Sequence, residues 1–330
     1  MSETGATESH DLTGRVTLVH GITAEVVWTE QSQTHTRMFP LGLKLNMTPV
    51  AGDWVALDAE NGIKRVLERR TALRRPSSDG KDQQVLAANI DLIMIVLSVE
   101  GGFNAKALER FSVMAWDSGA EQMVVLSKAD LADDLDDSRA AAEAAVPGAD
   151  LVVTSAFDGR GLEQLRARVP AGVSATMFGP SGAGKTSLLN ALEGRHEQVR
   201  AVSRDGGGRH TTTNRRLYTL QNGGVLLDLP GIRNLDVIAS QEAIDETFSD
   251  ITELASACRF NDCAHEHEPG CAVRAAVAAG ELEQERLERW RELSREASYH
   301  DREGDPAKEA AKRAEWKQLN KTAKRKRDQR

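Results

Sequence analysis

Gly179-Pro180-Ser181-Gly182-Ala183-Gly184-Lys185-Thr186 decides the fold of this chain. The spacing G-x-x-x-x-G-K-[ST] is that of a phosphate-binding loop. Its glycines let backbone N–H groups turn inward around phosphates, Lys185 reaches the outer phosphates, and the Thr186 hydroxyl holds Mg²⁺. The flanks agree: Ala175-Thr176-Met177-Phe178 reads as a strand entering the loop, and residues 185–192 read as a helix leaving it.

Downstream, residues 216–220 and 225–227 look like a hairpin, and Asp228-Leu229-Pro230-Gly231 follows it. In P-loop GTPases an aspartate so placed approaches Mg²⁺, and the following glycine N–H, here that of Gly231, meets the γ-phosphate. Thr211-Thr212-Thr213 lies between the two motifs, and Thr212 is favoured as the threonine that closes over Mg²⁺. Gly206-Gly207-Gly208 precedes it as a loop able to change state. The position that holds a water-orienting glutamine in Ras-like enzymes is Ile232, which can neither donate nor accept a hydrogen bond. Slow intrinsic hydrolysis is therefore expected. His210 is the candidate for placing the water, and a plain switch-loop surface residue is the alternative reading of it.

Upstream stands the segment that would read the base. In Ser127-Lys128-Ala129-Asp130 the carboxylate of Asp130 can accept from the guanine ring N–H and exocyclic amine, a pair adenine does not offer. Lys128 would lie flat against the base. The usual pattern is N-K-x-D, so Ser127 in place of Asn predicts less side-chain support and weaker guanine affinity. Ser155-Ala156 lies after the next strand, where main chain can donate to the guanine carbonyl. Base-reading residues that precede the phosphate loop imply a circularly permuted nucleotide domain. Strands at 92–97, 123–126 and 151–154 alternate with helical stretches, among them 106–116 and 161–169, which predicts a doubly wound α/β domain over 85–239.

The N-terminal part reads differently. Five short strands, at 15–19, 24–28, 38–45, 53–57 and 63–67, are separated by turn residues such as Gly21, Gly42 and Asn61-Gly62. That density suggests a small closed barrel, most simply an OB-fold. The expected order is a leader (1–12), the barrel (13–75), a linker (76–84), the nucleotide domain (85–239), a helical module (240–305) and a basic tail (306–330).

Inside the helical module, Cys258, Cys263, His265 and Cys271 are spaced C-x4-C-x-H-x5-C. Three thiolates and an imidazole complete a closed tetrahedral Zn²⁺ shell, so a single structural zinc is expected. His267 competes as the fourth ligand, and free thiols or a redox pair are the bland alternatives. These are the 3 cysteines of a 330-residue chain, so no disulfide framework is expected and a reducing cytoplasm fits. No apolar run approaches the roughly 20 residues of a membrane helix. The net charge of −8 argues against indiscriminate nucleic-acid binding. Basic stretches at 64–75 and 317–330 read either as solvated surface or as phosphate contacts.

The permuted order, together with Gly208-Arg209-His210-Thr211-Thr212-Thr213, Cys258-Arg259-Phe260-Asn261-Asp262-Cys263-Ala264-His265 and Ala88-Asn89-Ile90-Asp91, resembles the ribosome small-subunit-dependent GTPase A (RsgA) family of circularly permuted GTPases. The resemblance covers nearly the whole chain; Ser127 and the acidic balance depart from it. It implies residues Gly179 through Ser187 and Ser127 through Asp130 at GTP, with Mg²⁺. It implies zinc on Cys258, Cys263, His265 and Cys271. It further implies a late factor in small-subunit maturation that binds the subunit and its rRNA through the barrel and zinc module and leaves on subunit-stimulated hydrolysis. A cytoplasmic monomer is expected. The rivals are a permuted GTPase acting elsewhere or on another RNA, and a zinc-stabilised RNA-binding module for which nucleotide is a structural ligand.

Overall fold

The structure is a computed structural model and describes residues 12–42, 44–58, 62–76, 83–132, 134–194, 216–229 and 240–303. The expected leader and basic tail, and the segment holding Gly206, His210 and Thr212, lie outside the described residues, as does the segment holding Gly231 and Ile232.

Strands β1 (Leu12–His20), β2 (Thr23–Glu30), β3 (Gln33–Pro40), β4 (Trp54–Asp58) and β5 (Gly62–Val66) form one antiparallel sheet in the order β3-β2-β1-β4-β5. The sheet curls until β5 returns to β3, and Gly62 faces the Phe39 ring. Alternate residues Val16, Ala24, Val26, Phe39, Val55, Leu57 and Val66 fill the interior as an OB-like core. The third strand departs from expectation. It begins at Gln33 and stops at Pro40, which has no N–H to continue a ladder.

Across the expected linker, β6 (Ala72–Pro76) and β7 (Gln83–Ala88) pair as a two-stranded sheet. Then come β8 (Leu92–Ser98), α1 (Ala105–Ser118), β9 (Glu121–Ser127), α2 (Leu135–Ala145), β10 (Asp150–Val153), α3 (Leu162–Arg168), β11 (Ser174–Phe178), α4 (Lys185–Glu193), β12 (Arg216–Thr219) and β13 (Val225–Asp228). Asn104 caps α1, its Oδ1 accepting from Ala107 N at 2.9 Å, and Asp134 caps α2. The sheet runs β10-β9-β8-β11-β13-β12 and is parallel except for β12. Counting begun at β11 turns this order into 6-5-4-1-3-2. The spatial arrangement of an unpermuted doubly wound domain is kept, and only the chain's starting point differs. The direction of winding reverses between β11 and β8, and ligands of such sheets bind beyond the carboxyl ends at that switch point.

Barrel and nucleotide domain belong to one compact unit, Met1–Arg74 with Val85–Leu235. The joint between them is polar. Arg15 on β1 donates to Ser174 Oγ at 2.5 Å and to Asn89 O at 3.0 Å. Asn89 accepts from Arg70 N at 2.9 Å and donates to Gly52 O at 3.1 Å. Asp91 accepts from Ser174 N at 2.8 Å and from the Arg70 guanidinium at 3.0 Å. Burial pulls the Arg15 guanidinium below its usual pKa while Asp91 opposes that shift.

Arg75–Gln84 and the chain from Asp236 onward form the second unit. Its helices are α5 (Gln241–Thr247), α6 (Ser249–Ala255), α7 (Ala272–Ala279) and α8 (Gln284–Glu303). Ile244, Phe248, Ile251, Val273 and Leu287 are buried in it. Arg286, also buried, forks onto Asp250 at 2.6 and 2.8 Å and covers the Phe248 ring at 4.8 Å.

Candidate nucleotide site and metal centre

The phosphate loop leaves β11 at the switch point. Gly179 has φ +144, and a Cβ there would stand 2.0 Å from Val96 O of β8, so only glycine lets the loop cross so closely. Pro180, Ser181, Gly182 and Ala183 carry the turn, and Gly184 enters α4 at φ +87. Lys185, Thr186 and Ser187 form the first turn of α4, where the N-terminal end of the helix dipole favours an anion. The Lys185 ammonium donates to the carbonyls of Gly179 and Pro180, both at 2.7 Å.

The base-reading segment arrives from the other half of the sheet. Ser127 ends β9, Lys128 is left-handed at φ +58, and Ala129 and Asp130 begin a single 3-10 turn. A Cβ on Gly184 would lie 3.7 Å from Ser127 Oγ and 3.9 Å from Lys128 Cγ, so the two motifs touch despite their separation in sequence. The Ser127 hydroxyl, almost fully buried, faces Ala183 O at 2.6 Å and Leu97 O at 3.1 Å. Its one proton serves the phosphate-loop carbonyl, and its direction is toward that backbone. Lys128 pairs with Glu100 at 2.6 Å. Ser155 and Ala156 follow β10, and Ala129 N donates to Thr154 O at 3.0 Å, which ties the two base-side loops together. Asp130 is exposed on that side.

Asp228 ends β13 beside the phosphate loop. Its side chain keeps accessible surface, yet desolvation pushes its carboxyl pKa up, with the Lys185 charge pulling the other way. The arrangement brings together Ser127, Lys128, Ala129, Asp130, Ser155, Ala156, Gly179 to Ser187 and Asp228.

In the second unit, the loop between α6 and α7 converges Cys258, Cys263, His265 and Cys271, with one ligand atom from each within 4.8 Å of the others. Cys258 Sγ lies 3.9 Å from Cys271 Sγ, and His265 Nδ1 lies 3.5 and 3.4 Å from those two sulfurs. A tetrahedral ion with M–S of about 2.3 Å and M–N of about 2.05 Å needs edges of about 3.8 and 3.5 Å. The donor set fits such an ion. His265, not His267, occupies the cluster. Desolvation lowers the pKa of His265, which favours the neutral ring a metal requires. Desolvation, assisted by the neighbouring thiols, pushes Cys263 up to about 11. Cys258 is lowered against its own desolvation by the N–H groups of Val273 and Ala272.

Three contributors went unread in the sequence. Glu268 accepts from Ala264 N at 3.0 Å, Glu266 N at 2.9 Å and His267 N at 3.0 Å, which folds the segment between the ligands. Its own backbone N–H and these three hold its carboxyl down to about 2. The Trp290 ring lies 5.4 Å from that of His265, and Arg291 donates to the His265 carbonyl. A carboxylate five residues after a cysteine carries no signal of its own. The left-handed His265, at φ +58, shows how tight the turn it stabilises is.

A chain whose phosphate loop lies at the switch point, touched by base-side residues that precede it in sequence, defines a circularly permuted GTPase domain. Residues 66–238 match the family model described as RsgA GTPase. The "Small ribosomal subunit biogenesis GTPase RsgA 1" of Listeria innocua is 38% identical over 276 residues, covering 83% of this chain and 80% of that protein. Among solved structures, YjeQ from Thermotoga maritima superposes with a TM-score of 0.64 at 29% identity, covering 87% of this chain and 98% of that one. YloQ, described as a circularly permuted GTPase, matches in fold with a TM-score of 0.62 at 24% identity, over 90% of this chain and 98% of its own. The chain belongs to the RsgA GTPase family.

Proposed function

We propose that the chain hydrolyses GTP as a late maturation factor of the small ribosomal subunit, docking on rRNA and leaving when the subunit stimulates hydrolysis. The observation that supports this reading is the Ser127 hydroxyl donating to Ala183 O of the phosphate loop at 2.6 Å, which sets the base-reading segment directly beside the phosphate loop. The name of the Listeria innocua relative, a small ribosomal subunit biogenesis GTPase, supports the small subunit as the partner.

In this reading the phosphate-loop amides and Lys185 bind the phosphates, Asp130 and the main chain at Ser155-Ala156 read guanine, and Gly231 N–H meets the γ-phosphate. Thr186, Thr212 and Asp228 would hold Mg²⁺, which supplies charge neutralisation between the β- and γ-phosphates. His210 positions the attacking water, since Ile232 has no group for it. The Cys258, Cys263, His265 and Cys271 centre holds one structural Zn²⁺; thiolate-rich closed shells favour that ion. The metal module follows the Asp228 motif directly in sequence, so switch movement reaches it through the chain. Arg259, with its guanidinium 5.4 Å from the 40% exposed Phe260 ring, offers that module a stacking and phosphate contact for RNA. The factor works in the cytoplasm as a monomer. Among the described residues no helix is long and apolar enough to cross a membrane.

The test is GTP turnover of the purified chain with and without mature small subunits. Stimulation lost in Lys185→Ala is expected. Turnover indifferent to subunits would favour a permuted GTPase acting elsewhere, and nucleotide binding without any turnover would favour an RNA-binding module.

A further inference from the structure

We propose that Phe157 is a purine-stacking residue, its ring covering one face of the guanine base while the aliphatic stem of Lys128 covers the other. This rests on the guanine-site reading above and adds a residue to it. Phe157 is 89% exposed, more than any other large apolar side chain among the described residues. Its ring is thus open to a planar ligand on the base side of the sheet.

Its backbone is well held. Phe157 N and Asp158 N both donate to Ser155 Oγ at 3.2 Å, Ser155 N donates to Arg160 O at 3.0 Å, and Gly159 N donates to Ser155 O at 3.0 Å. That turn is joined to the Asp130 turn by Ala129 N donating to Thr154 O at 3.0 Å. A base gripped at its edges by Asp130 and by the main chain at Ala156 keeps two free π faces. Lys128, left-handed and anchored to Glu100, serves one. Phe157, the next residue after Ala156, is the aromatic group this loop offers the other. Stacking is indifferent to the exocyclic groups of a purine. The ring therefore adds affinity and leaves discrimination to Asp130.

Equilibrium binding of GDP, IDP and ADP to the full chain tests this. Phe157→Ala should weaken GDP and IDP alike, on the order of tenfold, leave the guanine-over-adenine ratio unchanged, and be restored by Phe157→Trp. Asp130→Ala, run beside it, should collapse that ratio. Unaltered GDP affinity in Phe157→Ala, or no recovery with Trp, overturns the stacking role while the guanine site stands. If Asp130→Ala keeps the guanine preference, the underlying site reading falls instead. Reduced subunit-stimulated turnover with GDP affinity intact would assign the ring to a partner surface and also overturn the inference.

Discussion

Ser127 stands where the usual pattern has asparagine, and its geometry gives it a different emphasis. The hydroxyl has one proton and two carbonyl neighbours, Ala183 O at 2.6 Å and Leu97 O at 3.1 Å, so it braces the phosphate loop against the base-side loop. Removing a buried donor leaves its acceptor unserved, at a cost of about 1–3 kcal/mol. Ser127→Ala should therefore loosen GDP by roughly 5-fold and by no more than about 150-fold, with a fluorescent-nucleotide titration as the measurement; equal affinity would show the brace to be dispensable. Asp228 yields a pH prediction. Its pKa is raised, chiefly by desolvation, so the folded protein disfavours the charged carboxylate that the proposed Mg²⁺ site would need. Mg²⁺-dependent GTP affinity should fall as pH drops through that raised value, at a pH above the ordinary aspartate value of about 3.9. The sign for stability is opposite: an ionised Asp228 works against folding above its pKa. Asp228→Asn should abolish the acid limb and most Mg²⁺-dependent binding, yet melt no lower than the parent at neutral pH. A clear fall in its melting temperature would contradict the assignment of the shift.

The metal loop is a different kind of element, one with almost no apolar support of its own, held by ligands and by Glu268. Partners that orient ligand-bearing segments change metal affinity by about 10–100-fold when lost. Glu268→Gln, which keeps the shape but weakens acceptance from the three N–H groups, should surrender metal to a chelator at least several-fold faster, read by a colorimetric indicator. Cys263→Ser should lose metal and reduce the helical signal of the α5–α8 unit; full retention of both would remove Cys263 from the shell. Legibility followed the same physics. Strands buried on both faces, such as 92–97, announced themselves as apolar runs, and the phosphate loop and cysteine spacing carried their chemistry in residue types. The first half of β3, Gln33 to Arg37, is a polar, mostly exposed strand whose pairing with β2 leaves no apolar alternation to read. The β6–β7 pair shows no alternation either: Ala72-Leu73 runs into Arg74-Arg75, and Gln83-Gln84 opens an apolar run in β7. Ser127's target and Glu268's three donors are contacts between backbone groups and side chains, and no periodicity encodes them.

For the molecule as a whole, the Ala88-Asn89-Ile90-Asp91 stretch acquires a purpose: with Arg15, Arg70 and Ser174 it joins barrel to nucleotide domain at the sheet end opposite the phosphate loop. Buried polar networks are costly when half satisfied. Arg15→Ala should cost about 1–3 kcal/mol. It should also separate two unfolding transitions in denaturant, one followed by barrel tryptophan emission and one by release of bound nucleotide. Coincident transitions in the variant would show that the joint does not depend on Arg15. The sheet order has its own consequence for synthesis. Because β8 is made first and its neighbour β11 begins at Ser174, the emerging chain must carry the bare edge Ile93-Met94-Ile95-Val96-Leu97 until 76 more residues (174 minus 98) have followed β8. At about 5–20 residues per second that is on the order of 4–15 s. During that interval an apolar ladder waits unpaired, open to any passing strand. A nucleotide domain whose chain starts in the middle therefore leaves one edge of a central strand open for as long as its second neighbour is still being made.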